Sequence, residues 1–182
     1  MIKKEVNMND VLKAIKERRS IRKFKPDMPP KEDIEKIIEA GLYAASGHGK
    51  QSNIIVAITN KEMRDKLASL NSKILTGDPN KDTFYGGPVI LVSLADKSFP
   101  TCVYDSTLVL GNMMLAAHSL GLGSIWIHRA KEEFETEEWK QLLKDLGAEG
   151  DYEGVGNLVV GYIDGEAPKA APRKEGRVFW VE

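Results

Sequence analysis

By pattern alone, the alternation of helix-like and strand-like segments favours an α/β protein with a parallel sheet. Two further observations support an ordinary globular fold. The chain has 182 residues, which suits one domain over residues 1–182, and a chain of this size buries roughly 70% of its unfolded surface. Its composition, 42% hydrophobic and 29% charged, is sufficient for a core without a disulfide or a structural metal.

The first half of the chain is predicted to hold three helices, one strand and a long loop. Asn9 is a candidate N-cap, and Pro30 suits the first turn of a helix after the Asp27-Met28-Pro29-Pro30 break. The long loop is rich in Gly, Pro, Asn and Asp, and a loop of that length is usually functional or mobile. The segments are a helix at 10–18, a helix after Pro30 with Ile34, Ile37, Ile38 and Leu42 on one face, a loop at 46–50, a strand at 54–59, a helix at 61–70 and the loop at 71–87.

The second half contains the most apolar helix, at 104–120, which is predicted to be either central or part of a subunit interface. Thr136 caps a later helix, and Gly147 closes it. The end of the chain, 177–181, is apolar enough to pair as a strand. The segments are strands at 88–95 and 124–127, a helix with Trp139, Leu142, Leu143 and Leu146, a strand at 155–163, an irregular tail at 167–176 and the terminal strand.

Charge and composition exclude several classes of protein. The chain has 26 Lys+Arg against 27 Asp+Glu, so its net charge of −1 argues against a general nucleic-acid binder. Cys102 is the only cysteine, so no internal disulfide forms, which fits a reducing compartment. The first ten residues lack the apolar region of a secretory signal, and no run approaches the length of a membrane span. We therefore expect a cytoplasmic protein with neither membrane nor nucleic-acid partners.

A basic cluster follows the first helix in this otherwise balanced chain. It includes Arg18, Arg19, Arg22 and Lys23, with Ser20 between them. Arginine forks and a serine hydroxyl in one loop are suited to holding a phosphate. Cations at the C-terminal end of a helix also complement its dipole without any ligand. The charge pattern alone leaves both interpretations open.

Other catalytic motifs are absent or out of context. Gly121-Leu122-Gly123 lies after a helix and before a strand, the reverse of a dinucleotide-binding turn. His48, His118 and His128 have no metal-ligand spacing with one another or with Cys102. No Gly-x-Ser-x-Gly elbow or phosphate-binding P-loop occurs. We therefore predict no metal site and no catalytic side chain.

Four sequence blocks occur in order along the chain. They are Arg18-Arg19-Ser20-Ile21-Arg22-Lys23-Phe24, then Ala44-Ala45-Ser46-Gly47-His48-Gly49-Lys50-Gln51-Ser52-Asn53, then Leu120-Gly121-Leu122-Gly123-Ser124-Ile125-Trp126-Ile127, and Val160-Gly161-Tyr162 followed by Pro172-Arg173-Lys174. Together these blocks resemble the nitroreductase family of flavin enzymes, and the chain is similar to the short, single-domain members of that family.

The resemblance implies a different fold from the one that the pattern favours. Family members are α+β proteins with a central, mixed but mostly antiparallel sheet flanked by helices. They form intertwined homodimers with two FMN sites at the interface, where the long apolar helix packs and the C-terminal segment crosses the partner. This arrangement explains both the apolar helix at 104–120 and the apolar tail of this chain.

The resemblance also implies which residues bind the cofactor. Arg18, Ser20 and Arg22 match the phosphate and ribityl contacts, Arg19 matches a flavin contact made through the backbone, and Arg173 matches a distal basic residue that closes on the phosphate. Ala45, Ser46, Gly47 and Gln51 match the loop that reaches the flavin of the other subunit, and Ile127, His128 and Arg129 match the segment whose backbone N–H bonds flavin N5.

Some positions depart from the family pattern. Ala45 replaces a common Pro, Gly49 a common Asn, and Ser52-Asn53 a common Pro-Trp. The missing Asn bears on one polar contact at the flavin. His128 stands where many relatives have Gly or Glu, and it either meets the substrate or faces solvent.

The activity implied is that of an FMN-dependent oxidoreductase. Hydride passes from NADH or NADPH through flavin N5 to a small electron-poor acceptor, such as a nitroaromatic or a quinone, by ping-pong kinetics. The cofactor carries such chemistry and the protein supplies binding and orientation. Two alternatives remain at this point: a flavin-binding or flavin-sensing protein without turnover, and a phosphate-ligand binding module that holds no flavin.

Overall fold

The computed structural model describes residues 9–182, and in this part of the chain six helices and four strands form the fold. The predicted absence of a secretory signal concerns mainly residues 1–8, which lie outside the described residues. The elements are α1 (Asp10–Glu17), α2 (Lys31–Leu42), a 3-10 turn (Gly47–Gly49), β1 (Asn53–Ile58), α3 (Lys61–Thr76), β2 (Val89–Asp96), α4 (Cys102–Ser119), β3 (Gly123–Ile127), α5 (Ala130–Phe134), α6 (Glu137–Asp145) and β4 (Tyr152–Gly161).

The four strands form one sheet in the order β1-β2-β4-β3, and each neighbouring pair is antiparallel. The parallel sheet favoured by the pattern is therefore wrong, because alternation of elements does not fix strand direction. The one parallel pairing in residues 9–182 is an isolated bridge between Ser20 and Ser124. The α+β fold with a mixed, mostly antiparallel sheet, implied by the resemblance, is confirmed.

Helices cover both faces of the sheet, with a separate apolar cluster on each side. On one face α2 and α4 pack on β2 and β4, where Ile37, Leu110 and Met113 are fully buried. The two helices approach closely at Gly41, where a Cβ atom would stand 2.7 Å from Met113 Cγ. On the other face α3, α5 and α6 contribute Leu67, Phe134, Trp139 and Leu143 to the second cluster.

α3 is longer than predicted, so the loop prediction for 71–87 is wrong over its first six residues. α3 continues to Thr76, and Gly77 closes it in the left-handed conformation at φ 77°. Asparagine is a poor helix former, and the predicted helix therefore stopped before Asn71. Here Asn71 is fully buried and its amide is bonded within the protein, so tertiary contacts override its propensity. The prediction also omitted α5 altogether.

The end of the chain is exposed and forms no strand, so the predicted strand at 177–181 is wrong for the single chain. Phe179 is 88% and Trp180 82% exposed, because no strand within residues 9–182 pairs with this segment. Exposed apolar side chains also lie along α1, the end of α2 and α4: Val11, Leu12, Ile15, Leu42, Tyr43, Val103, Tyr104 and Leu108. A concentration of exposed apolar side chains of this kind indicates an interaction face. In residues 9–182 no helix has the length and hydropathy needed to cross a membrane.

Candidate functional site

The basic cluster lies where α1 ends, beside the first residues of β3. Asn9 caps α1 by accepting from the Leu12 N–H at 2.9 Å, and Arg18 is the C-cap. The chain then extends along β3: Ser20 bridges Ser124, and the Ile21 N–H donates to the Ser124 carbonyl at 3.1 Å. This pairing fixes the cluster against the sheet.

Several polar atoms in this cluster are buried without a hydrogen-bond partner among residues 9–182. They are Arg18 Nη1, Arg19 Nε and the Ser124 hydroxyl. Burial, and then the neighbouring charge of Arg19, lower the pKa of Arg18. Buried donors are normally paired, and two adjacent guanidinium groups repel each other. A phosphate fits this donor set, because it would accept from the free N–H groups and offset both charges.

A cleft of about 320 Å³ opens beside the cluster. Ser20, Ile21, Arg22 and Lys23 line one side of it, and residues from 163 to 168 line the other. An ion pair of 2.6 Å between Lys23 and Asp164 joins the two sides of the cleft. The Arg22 side chain is exposed and can turn toward a ligand. The cleft therefore opens the Ser20–Lys23 part of the cluster to solvent, opposite the acids Asp164 and Glu166.

The loop at 45–51 is held against the start of α4. The buried Asp105 accepts from the Gly47 N–H at 3.0 Å and from the Thr101 hydroxyl at 3.1 Å. Ser46 Oγ accepts from the Gln51 N–H at 3.0 Å. A Cβ atom at Gly47 would collide with Thr101, so this position needs glycine. The loop is thereby fixed in shape while Ala45 and Gln51 stay exposed.

The segment of Ile127, His128 and Arg129 forms a turn at the far end of β3. Ile127 is buried, His128 is exposed, and Arg129 adopts a left-handed conformation at φ 83° that is uncommon for a residue with a side chain. The His128 ring lies 5.5 Å from the Trp126 ring, centroid to centroid. His128 thus faces solvent within this chain, and its predicted role toward substrate stays untested.

A buried polar network supports this turn from behind. Asn71 Nδ2 donates to the His128 carbonyl at 2.9 Å and also to Glu133 Oε1. Asn157 Nδ2 donates to Glu133 Oε2 at 2.8 Å, and Arg129 Nε donates to Asn71 Oδ1 at 3.3 Å. Burial raises the pKa of Glu133 to about 7. The hydrogen bonds from the Asn157 and Asn71 side chains and the positive charge of Arg129 oppose that rise only in part.

We expect Glu133 to make stability depend on pH. Its pKa is raised from 4.5 to about 7 on folding, so the folded chain favours the protonated acid. The contribution of this protonation to the free energy of unfolding is complete below pH 4.5 and is lost as the pH rises through 7. Glu133→Gln removes this titration. The unfolding free energy of the variant, relative to the wild type, should rise by about 2–3 kcal/mol between pH 5 and pH 8. Urea unfolding at several pH values measures it, with Glu132→Gln as an exposed control; a constant difference would contradict the assignment.

The structure brings some of the predicted site residues together and leaves others apart. Arg18, Arg19 and Ser20 cluster at one end of β3, and residues 127–129 lie at its other end. Arg173 is exposed in the tail, and its guanidinium donates only to the Ala171 carbonyl among the described residues, at 2.6 Å from Nη2. No hydrogen bond or ion pair within residues 9–182 links Arg173 or the 45–51 loop to the basic cluster.

The sequence prediction missed the residues behind the site. Asp105 was detectable in principle, because it is an acid on an otherwise apolar helix. Asn157 was also detectable from the sequence, because it interrupts a buried strand before Leu158, Val159 and Val160. Glu133 gave no signal: it lies in an acidic run that is typical of a solvated surface.

Comparison with known proteins assigns the family. The model of the Nitroreductase family matches residues 15–162, so the chain belongs to this family, as the four sequence blocks predicted. A protein of Methanothermobacter thermautotrophicus, provisionally named NADH dehydrogenase/NAD(P)H nitroreductase, is 35% identical over 126 residues, which are 67% of this chain and 62% of the relative. FMN reductase [NAD(P)H] of Bacillus subtilis is 28% identical over 140 residues, 65% of this chain and 53% of that protein. The chain thus spans only about half to three fifths of these curated relatives.

Two solved structures match along almost the whole chain. A nitroreductase with bound FMN from Bacteroides fragilis has a TM-score of 0.84 and 28% identity, covering 96% of this chain and all of that one. A nitroreductase with bound FMN from Desulfitobacterium hafniense has the same TM-score and coverage at 26% identity.

Proposed function

We propose that this protein is an FMN-dependent oxidoreductase that takes hydride from NADH or NADPH. The observation that carries the proposal is the set of unpartnered buried donors around Arg18, Arg19 and Ser124, which fits a phosphate. The relatives support it: two of the matching structures contain FMN, and one curated relative is an NAD(P)H-dependent FMN reductase.

The two ends of β3 suit the two ends of the cofactor. At about 3.3 Å per residue, Ser124 and His128 lie about 13 Å apart along the strand. In this proposal Arg18, Ser20 and Arg22 hold the phosphate, and a backbone N–H of residues 127–129 bonds the ring at N5. Arginine forks favour a dianionic phosphate, and a fixed amide orients the ring.

When bound, FMN supplies the redox chemistry, accepting hydride from the nicotinamide and passing electrons to an electron-poor acceptor such as a nitroaromatic or a quinone. The chain binds and orients the cofactor and shields it from water. In this proposal Ile127 lies along one edge of the flavin ring, and the exposed His128 borders the space in which a planar substrate binds.

The active form in this proposal is a homodimer. α1, α4 and the tail each carry exposed apolar residues that a second copy would cover. Ala45, Ser46, Gly47 and Gln51 would then reach the flavin of the partner, and Arg173 would close on a phosphate from the crossing tail. This explains why neither group contacts the basic cluster of its own chain.

The colour of the purified protein tests the proposal first. A bound flavin gives absorbance bands in the near-ultraviolet and the blue, and NADH or NADPH should bleach them until an acceptor restores them. A yellow protein that is not bleached would be a flavin-binding or sensing protein without turnover. A colourless protein that ignores added FMN at micromolar concentration would contradict the proposal and favour another phosphate ligand.

We expect ping-pong kinetics, with parallel double-reciprocal lines, because one pocket above the ring serves donor and acceptor in turn.

His128→Ala should change the preference among acceptors more than the rate of flavin reduction, since His128 is exposed beside that pocket. A steady-state screen of acceptors with both nucleotides measures this, with the exposed Gln141→Ala on α6 as control. Intersecting lines would contradict the shared pocket, and loss of flavin reduction in His128→Ala with FMN still bound would reveal a side-chain role in the chemistry.

A further inference from the structure

Glu133 is a fully buried acid directly behind the turn at 127–129. Both of its carboxylate oxygens accept hydrogen bonds, one from Asn71 and one from Asn157. On the same face of the sheet, α5 and α6 bury the apolar side chains of Phe134 and Trp139. Taking a carboxylate out of water is costly, and an apolar side chain would fill such a position at lower cost. Packing alone therefore does not explain why an acid stands here.

The network instead connects the carboxylate to the turn. The amide of Asn71 is used on both sides: Nδ2 donates to Glu133 and to the His128 carbonyl, while Oδ1 accepts from Arg129 Nε. Arg129 has the strained backbone of this turn, at φ 83°. Strain of this kind persists only where the surrounding contacts determine it. Glu133 fixes which way the Asn71 amide points, and Asn71 fixes the turn.

We propose that Glu133 is a positioning residue whose carboxylate, acting through Asn71, holds the 127–129 turn in the geometry that presents a backbone N–H to the flavin. The assignment of that N–H to the flavin rests on the function proposed above. The link from Glu133 to the turn rests on the contacts of this chain alone.

The hydrogen-bond chemistry makes this link sensitive to protonation. An ionised carboxylate accepts from both amides, whereas a protonated one has a donor on one oxygen, so one amide loses its acceptor. Asn157 Oδ1 is buried without a hydrogen-bond partner in the part of the chain that the structure describes, and it would accept that proton if the Asn157 side-chain amide rotated by 180°. The charged groups acting on Glu133 are Arg129 and Glu132, and α3 and β4 face it with the neutral amides of Asn71 and Asn157. Since the pKa of Glu133 is about 7, both forms occur near neutral pH.

Hydrogen exchange of the backbone amides at 127–131 tests the proposal without relying on turnover. The full chain is measured as purified and again after removal of FMN, at pH 5.5 and pH 8.5, with rates corrected for intrinsic exchange. Glu133→Gln mimics the protonated acid. We expect its segment to exchange about tenfold faster than that of the wild type at pH 8.5 and equally fast at pH 5.5. The rate of flavin reduction by NAD(P)H should follow the same pattern in the FMN-loaded protein.

Two further variants separate positioning from general loss of packing. Asn71→Leu cuts the link itself, so the segment should exchange fast at both pH values. Leu143→Ala removes a buried side chain of the same core from α6 and should lower thermal stability while leaving the exchange of 127–131 unchanged. If Glu133→Gln does not fold, the wild type alone decides, because its protection at 127–131 should rise between pH 5.5 and pH 8.5.

Equal exchange in the wild type and Glu133→Gln at pH 8.5 would overturn the proposal. A difference that is the same at both pH values would overturn it too, because lost packing does not depend on protonation. A wild-type protein that never binds FMN would refute the proposed function instead, and exchange in the FMN-free chain would still decide whether Glu133 positions the turn.

Discussion

Arg18→Ala should raise the dissociation constant of FMN by about 10- to 150-fold, which corresponds to the roughly 1.5–3 kcal/mol of a hydrogen bond to a charged group. Arg18 is half-buried, and its Nη1 has no hydrogen-bond partner in the described part of the chain, so the phosphate would supply the missing acceptor. The same substitution removes a partly desolvated cation beside Arg19. We therefore expect the FMN-free variant to be at least as stable to heat as the wild type.

Fluorescence titration of FMN and thermal unfolding of the FMN-free chain together measure this result. Lys13→Ala is the matched control, because it removes one positive charge from an exposed position on α1 and should change FMN affinity less than twofold. Arg18→Lys should recover only part of the affinity, since an ammonium group cannot replace the planar fork. Wild-type affinity in Arg18→Ala would show that the phosphate binds elsewhere.

Trp180→Ala should weaken dimerisation by about 30-fold or more, in line with the roughly 2 kcal/mol or more lost when a central aromatic residue of an interface is truncated. Trp180 is 82% exposed in the single chain, beside the equally exposed Phe179. Neighbouring exposed aromatic side chains form an apolar patch, and such a patch marks an interaction site. Because the tail also carries Arg173, we expect FMN to be lost together with the dimer.

Sedimentation over a dilution series, with absorbance read at the flavin band, measures assembly and FMN content in one experiment. Leu146→Ala is the control: Leu146 is 61% exposed at the end of α6, away from α1, α4 and the tail, and its loss should leave the dimer intact. A stable monomer loaded with FMN would contradict the shared site. An equal effect of both substitutions would show that the tail has no special role in the interface.

The phosphate-binding candidates were accessible from sequence because they are local. Arg18, Arg19, Ser20 and Arg22 lie within five consecutive positions, so their grouping needs no tertiary contact. The lengths and order of most helices and strands were also predicted well, because apolar periodicity and capping residues such as Asn9 and Thr136 act within a few residues. The family blocks then supplied the sheet type, which periodicity does not encode.

The network behind the turn was not accessible in the same way. Asn71 and Glu133 are 62 positions apart, and Asn157 lies 24 positions beyond Glu133. Asn71 and Glu133 each have an ordinary surface interpretation in their own segments, and this interpretation ended the predicted helix before Asn71. Asn157 interrupts a buried strand, but its own segment does not show which residues it contacts. Only the packing of α3, α5 and β4 on one face of the sheet shows that all three are buried and bonded to one another.

The sequence by itself determined the family, the basic cluster and the apolar surfaces, because side-chain chemistry and short-range periodicity are properties of neighbouring residues. Tertiary structure alone decided the strand order and register, the burial of Glu133 and the left-handed turn at Arg129. These depend on which distant segments meet and on how much water their meeting excludes. The free energy of a buried carboxylate or of a strained turn is set by that environment and not by the residue type.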